Sequence, residues 1–306
     1  MVRNTNGARL PRLAFVGFGE AAQAFVQGLG PEIAKATRAF DIKTDHSQAA
    51  IRDAKWADYE VAFVTGCAVL PEALADAPVV FSTVTADQAL VAAEAAAKAI
   101  GAGTLYFDCN SCSPATKRQA AAAIDVVGGR YVDTAVMAPV HPALHRTPVL
   151  LSGPHAEAGL AELDALGMNA RLVAGPVGTS SAIKMIRSIM VKGLEALTLE
   201  CVLAGRRAGV DERVLASLDA SYPGFDFKKR AAHMLERVMT HGVRRAAEMS
   251  EAAKYLDSLG LPDRITQATV AWQEEVGQLG LTAPAGDYAA RADALLDVLL
   301  AKEDAA

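Results

Sequence analysis

Between residues 13 and 151 the chain alternates short, almost wholly apolar runs with longer alanine-rich stretches. The runs fall at 13–16, 37–40, 61–64, 79–84, 105–108, 131–136 and 149–151, and each has the length and composition of a buried strand. The stretches between them, such as 87–100 and 115–127, read as helices. Strands alternating with helices predict an α/β chain built on an open, doubly wound, largely parallel sheet of Rossmann type. After Gly178 the strand pattern stops. Ile183, Ile186, Met190, Leu194 and Leu197 recur at three- and four-residue steps, the period of an amphipathic helix over 179–209. Further helices are predicted over 212–217, 227–240, 243–259, 262–280 and 287–301. The pattern therefore divides the chain into a dinucleotide-binding Rossmann domain, 1–177, and an all-α domain, 178–306, with the long helix bridging them.

Composition narrows the class. The 306 residues are 52% hydrophobic and 21% charged, a balance suited to large packed cores rather than long disorder. A net charge of −5 argues against a nucleic-acid partner. No apolar run approaches bilayer length, and residues 1–9 are polar, with no signal-peptide core before the first strand. The expectation is a cytoplasmic protein with no membrane partner. Four cysteines in such a chain do not make a disulfide scaffold.

The first strand runs into Gly17-Phe18-Gly19-Glu20-Ala21-Ala22, a GxGxxA turn that opens a helix. The first glycine permits a tight turn, the second lets a pyrophosphate approach the backbone, and Ala22 allows close helix–strand packing. The amides of the helix start would receive the phosphates. Gly17, Phe18, Gly19, Glu20 and Ala21 are thus candidate cofactor residues. Asp41 ends the next strand 22 residues past Gly19, near the offset of the acid that binds the adenosine ribose. An acid there favours NAD, because it repels a 2′-phosphate. Lys43, two residues on, is a partner for that phosphate, so NADP stays open. Ligands of such sheets lie at the carboxyl ends of strands, which draws in Thr83, Val84, Thr85, Asn110 and Ser111, with Met137 after the strand at 131–136. Polar residues after a strand are also ordinary turn chemistry.

On the long helix Lys184, Ser188, Val191 and Glu195 share one face, flanked by Arg187 and Lys192. A solvated stripe is the plain reading; a catalytic face is the other. His241, Arg244, Arg245 and Glu248 share a later helix face in the same way. They form either an exposed salt-bridged surface or a patch that recognises an anion. Cys109-Asn-Ser-Cys112 has the layout of a thioredoxin-like redox pair, but the chain is far longer than such a domain. Cys67 and Cys201 have no CxxC partner, which leaves a zinc site unsupported, and no metal is expected. The pair reads as an accident of the strand-end turn, with sensitivity to oxidation as the alternative.

These segments together resemble the β-hydroxyacid dehydrogenase family, which includes 3-hydroxyisobutyrate and 6-phosphogluconate dehydrogenases. Gly17–Ala22 matches its cofactor loop. Residues 108–114 and 133–139 match the segments after its central strands, and Gly175–Lys184 matches its GxxGxxxxxK segment. KMIRS, KGLEAL, ASLDASYPGFD and HGVRRAAEM look like a poorly characterised bacterial branch with a C-terminal helical domain of unknown function. The chain departs from the family at Arg187-Ser188, where asparagines are usual, and at Met137-Ala138-Pro139, where Ser-Gly-Gly is usual. The resemblance implies a homodimer that transfers hydride between NAD(P) and a small hydroxy acid or related carbonyl compound. It assigns Lys184 the general acid/base role. Ser111, Met137, Arg187, Ser188, Lys192, Glu195, His241, Arg244 and Arg245 would then shape the substrate site. A free lysine titrates at about 10.4, so the role calls for surroundings that lower the value, and burial with the nearby cation Arg187 acts that way. Oxidative decarboxylation and a non-catalytic dinucleotide-binding role are the alternatives.

Overall fold

A computed structural model describes residues 12–303. The polar stretch 1–9 lies outside the described residues. The chain forms two compact units, one through Lys184 and one from Met185 onward. The division falls seven residues beyond the 177/178 boundary read from the pattern. The physical reason is that the first turn of the long helix is bonded into the first unit, as described below.

The first unit runs β1 (Leu13–Val16), α1 (Glu20–Leu29), α2 (Pro31–Lys35), β2 (Arg38–Phe40), α3 (Ala49–Val61), β3 (Thr65–Gly66), α4 (Leu70–Leu74), β4 (Val79–Ser82), α5 (Ala89–Ala97) and β5 (Leu105–Asp108). It continues with α6 (Pro114–Asp125), β6 (Arg130–Val136), β7 (Val149–Ser152), α7 (Ala156–Ala165), β8 (Ala170–Leu172) and the start of α8 (Thr179–Ala208). The sheet order is β3-β2-β1-β4-β5-β6-β7-β8. Every pairing is parallel except β6 with β7. Both faces are covered, so the central strands are apolar on both sides. Phe15, Phe81 and Phe107 stack across one face at centroid spacings of 5.2 and 5.0 Å. Tyr106 and Tyr131 stack on the other.

Two differences from the sequence pattern have local causes. Residues 61–64 are not a strand: α3 runs to Val61, Phe63 turns the chain at φ 58°, and the strand is Thr65–Gly66. A four-residue apolar run does not by itself distinguish a helix end from a strand. The predicted run at 149–151 is β7, but it pairs antiparallel with β6, and the short β8, which the pattern does not predict, pairs parallel with it at the sheet edge.

The second unit consists of the rest of α8 with α9 (Asp211–Ser221), α10 (Phe227–Ser258), α11 (Arg264–Gln278) and α12 (Tyr288–Glu303). Its core gathers Leu199, Leu203, Leu215, Leu235, Val238, Val276 and Leu295. The predicted helices 227–240 and 243–259 are a single helix. Gly242 does not break it because α11 crosses there: a Cβ at Gly242 would lie 2.4 Å from the Gln273 carbonyl oxygen. The glycine serves close helix packing, not a turn. Among the described residues no helix is long and apolar enough to cross a membrane.

Candidate active site

The register places Phe40, Val16, Ser82, Asp108, Asp133 and Ser152 side by side across six strands. All groups that converge in the first unit hang from this row. At β1 the chain turns through Gly17, at φ 84°, where a Cβ would meet Thr83 O and Val84 Cγ1 at 2.8 Å. Nothing lies within 4 Å of a Cβ built on Gly19, so this side of the backbone is open to a ligand. No side chain caps α1 at Gly19. The first N–H groups of a helix have no partner within it, and with the macrodipole they form a seat for an anion. The residues fit a pyrophosphate.

The turn is held from several sides. Gly17 N–H donates to Phe40 O at 2.8 Å, and Phe18 N–H donates to Asp41 Oδ2 at 2.8 Å. Thr83 Oγ1 donates to Gly17 O at 2.8 Å. Asp41 Oδ1 also accepts from Lys43 N–H, capping a short 3₁₀ turn, while the Lys43 side chain is exposed. Thr85 is exposed past the end of β4. Val84 N–H donates to Asn110 Oδ1 at 2.7 Å, and Asn110 Nδ2 donates to Ser82 Oγ and Asp108 Oδ1. Thr83 and Asn110 therefore brace the backbone at the glycine turn and the end of β4, and Asn110 is buried.

Beneath Ser111 lies a fully buried polar network. Lys117, on α6, donates to the Asp108 carbonyl at 2.6 Å and lies 3.0 Å from Asp108 Oδ1 and 3.6 Å from Asp133 Oδ1. Tyr131 donates its hydroxyl to Asp108 Oδ2 at 2.6 Å. Asp133 accepts from Ser152 Oγ, Gly178 N–H, Ser181 N–H and Ser181 Oγ. From a strand distant in sequence it does for α8 what an N-cap side chain does locally, with the helix dipole favouring its charge. Burial alone would lower the Lys117 value, but Asp108 first, then Cys112 and Asp133, hold it above the ordinary lysine range. Burial, with Asp108, likewise raises the Tyr131 phenol.

One turn into α8, Lys184 Nζ donates to Ser111 Oγ at 2.5 Å, both side chains half-buried. Ser111 stands directly after the Asn110 brace, and Lys184 lies one turn beyond Ser181, the last residue that Asp133 holds. Cys109 and Cys112 are buried and form no disulfide. Burial pushes the Cys109 thiol up to about 12, so it carries no reactive thiolate at neutral pH. Met137, half-buried, lies beyond this group, its N–H bonded to Pro148 O at the start of β7.

In the second unit, Ser188, Lys192, Glu195 and Arg245 are buried, whereas Arg187 and Arg244 are exposed and His241 is half-buried. Glu195 pairs with Arg245 and accepts from Gln273 Nε2 at 3.4 Å. Lys192 pairs with Glu248 at 2.8 Å and donates to Ser188 Oγ at 3.2 Å. Arg244 lies 3.9 Å from the same Glu248. These charges thus form a cross-linked seam between α8 and α10 rather than a solvated stripe.

From the sequence, Lys55, Lys117 and Gln273 carry no site role, and Asp108 and Asp133 enter only as the first residues of the strand-end segments 108–114 and 133–139. The signals for the two aspartates are their place at strand ends and those segment matches; nothing marks Lys55 or Lys117, because the Phe18 carbonyl and the Asp133 carboxylate reach them only in the assembled sheet.

Residues 206–276 match the family described as a domain of unknown function, DUF1932. A conserved hypothetical protein from Sinorhizobium meliloti is 35% identical, with a TM-score of 0.70 over 93% of this chain and 97% of its own. A conserved protein of unknown function, described as structurally similar to 3-hydroxyacid dehydrogenases, is 29% identical, with a TM-score of 0.64 over 88% and 98%. The 3-hydroxyisobutyrate dehydrogenase of Mycobacterium tuberculosis, at 15% identity, shares the fold with a TM-score of 0.69 over 94% and 99%.

Proposed function

We propose a nicotinamide-dependent oxidoreductase for this chain, which belongs to the β-hydroxyacid dehydrogenase family, in its poorly characterised branch with a helical C-terminal domain of unknown function. The substrate class is a small hydroxy acid or the related carbonyl compound. The observation that carries the reading is the Lys184–Ser111 pair, on the same sheet edge as a glycine turn open on its ligand side. A bound nicotinamide supplies or takes up the hydride. Lys184 takes the hydroxyl proton as the alcohol is oxidised and returns it when the carbonyl is reduced, so no alkoxide has to form. Ser111 orients the Lys184 amine and offers a hydroxyl to the same substrate oxygen.

Asp41 selects NAD over NADP in this reading, because a carboxylate at the end of β2, held by the Phe18 and Lys43 N–H groups, would repel a 2′-phosphate. Fluorescence titration should find NADH bound more tightly than NADPH, and Asp41→Ala should cut that preference about tenfold, the worth of a charge-assisted hydrogen bond. Failure of the wild-type chain to bind either cofactor would overturn the function.

The same reading includes a homodimer through the second unit. Ile186, Met190 and Leu197 form an exposed apolar stripe on α8, and a Cβ at Gly193 would lie 3.9 Å from Ile265, itself exposed on α11. A contiguous patch of this kind suits a self-complementary interface. Light scattering should return twice the chain mass, and Met190→Glu should return the monomer; a monomeric wild type would sink the dimer.

A further inference from the structure

Phe18, between the two glycines of the turn, has both of its peptide groups tied to side chains. The Gly17–Phe18 peptide is clamped at its carbonyl by Thr83 Oγ1 and at its N–H by Asp41. The carbonyl of the next peptide, Phe18–Gly19, accepts from Lys55 Nζ at 2.7 Å, with Gln23 Nε2 a weaker donor at 3.4 Å. Lys55 lies on α3, is buried, and is balanced by Asp58 at 2.6 Å. One helical turn on, Tyr59 packs against the Phe18 ring at 5.1 Å, so α3 grips this residue by backbone and side chain together.

The peptide is trans, since the only cis bond among the described residues is His141–Pro142. In a trans peptide the C=O and N–H point in opposite directions. A donor that fixes the Phe18 carbonyl therefore also fixes the Gly19 N–H, aiming it away from Lys55. Gly19 is the residue with open space on its ligand side. A cation on the carbonyl also polarises the peptide and strengthens the N–H as a donor.

We infer that Lys55 is a positioning residue for the pyrophosphate: through the Phe18–Gly19 peptide it aims and strengthens the Gly19 N–H as an anion donor. This rests on the dinucleotide reading above. A buried lysine that only stabilised α3 would not discriminate between ligands with and without a diphosphate, whereas this role requires it.

The test uses the full chain as wild type, Lys55→Met and Lys55→Arg. NADH is titrated by fluorescence, ADP by calorimetry, and adenosine, which lacks the diphosphate, by NMR. Lys55→Met should weaken NADH and ADP about tenfold or more and leave adenosine within about twofold. Lys55→Arg, which keeps a charged donor, should recover most of the loss. Should Lys55→Met fail to fold, Lys55→Gln, with a shorter and neutral donor, is read for the same split between ligands. Unchanged NADH and ADP affinities, or a parallel loss of adenosine, would overturn the inference while leaving the cofactor reading intact. A wild-type chain that binds neither NADH nor NADPH would overturn both.

Discussion

Lys184→Ala should bind NADH within about twofold of the wild type yet turn substrate over roughly a hundred- to ten-thousandfold more slowly, the usual worth of a positioned general acid/base. The two effects separate because of where the groups stand. The glycine turn is built by Phe40, Asp41, Lys55 and Thr83, and Lys184 makes none of those bonds. It donates instead to Ser111 Oγ. Cofactor affinity is measured by fluorescence titration, and turnover on the hydroxy acid or carbonyl compound that a screen with the bound cofactor identifies. Turnover equal to that of the wild type would remove Lys184 from the mechanism.

Lys117→Met should destabilise the first unit by about 3–5 kcal/mol, the cost of leaving buried charge without its partner. Lys117 is fully buried between Asp108 and Asp133, and methionine fills its space without replacing its charge or its three donors. Replacing a whole buried ion pair with apolar groups is often neutral, but removing one member is not. The chain has one tryptophan in each unit, Trp56 and Trp272. In a Trp272→Phe background, Trp56 fluorescence followed through urea unfolding isolates the first unit. The pH dependence carries a sign. The folded-state value of Lys117 is raised, so its contribution is complete below the lysine range of the unfolded chain, about 10.4, and fades only as pH climbs toward the folded value. The gap between wild type and variant should therefore be flat from pH 6 to about 9 and narrow above about 10. A loss below about 1 kcal/mol would mean that water or relaxation takes over the role of Lys117.

This network also shows how much of the site was legible beforehand. That Gly17 and Gly19 form a tight strand–helix turn and that Asp41 follows the next strand was legible, because both are features of one βαβ unit; that Asp41 accepts from the Phe18 and Lys43 N–H groups was not. Lys184 and Ser111 could be singled out by resemblance, but their meeting could not, since they lie 73 residues apart. Asn110 read as a cofactor contact, whereas its amide is consumed by Val84, Ser82 and Asp108. Glu195 and Arg245 read as a solvated face or an anion patch, and the fold buries them against each other.

Periodicity determined the α/β first part and the helical second part, because burial on two faces of a sheet or one face of a helix leaves its period in the residues. Turn chemistry marked the glycine loop, because a positive φ at Gly17 favours glycine whatever surrounds it, while the bonds that hold the loop come from residues distant in sequence. The tertiary structure alone decided that Gly242 continues a helix instead of ending one, since the reason is a neighbouring helix at contact distance. It alone decided that Asp133 caps α8 from across 45 and 48 residues, that Lys117 stands between two carboxylates, and that Lys55 reaches the Phe18 carbonyl. A charged side chain carries no mark of its partner; sheet order and register choose it, and those are properties of the assembled fold.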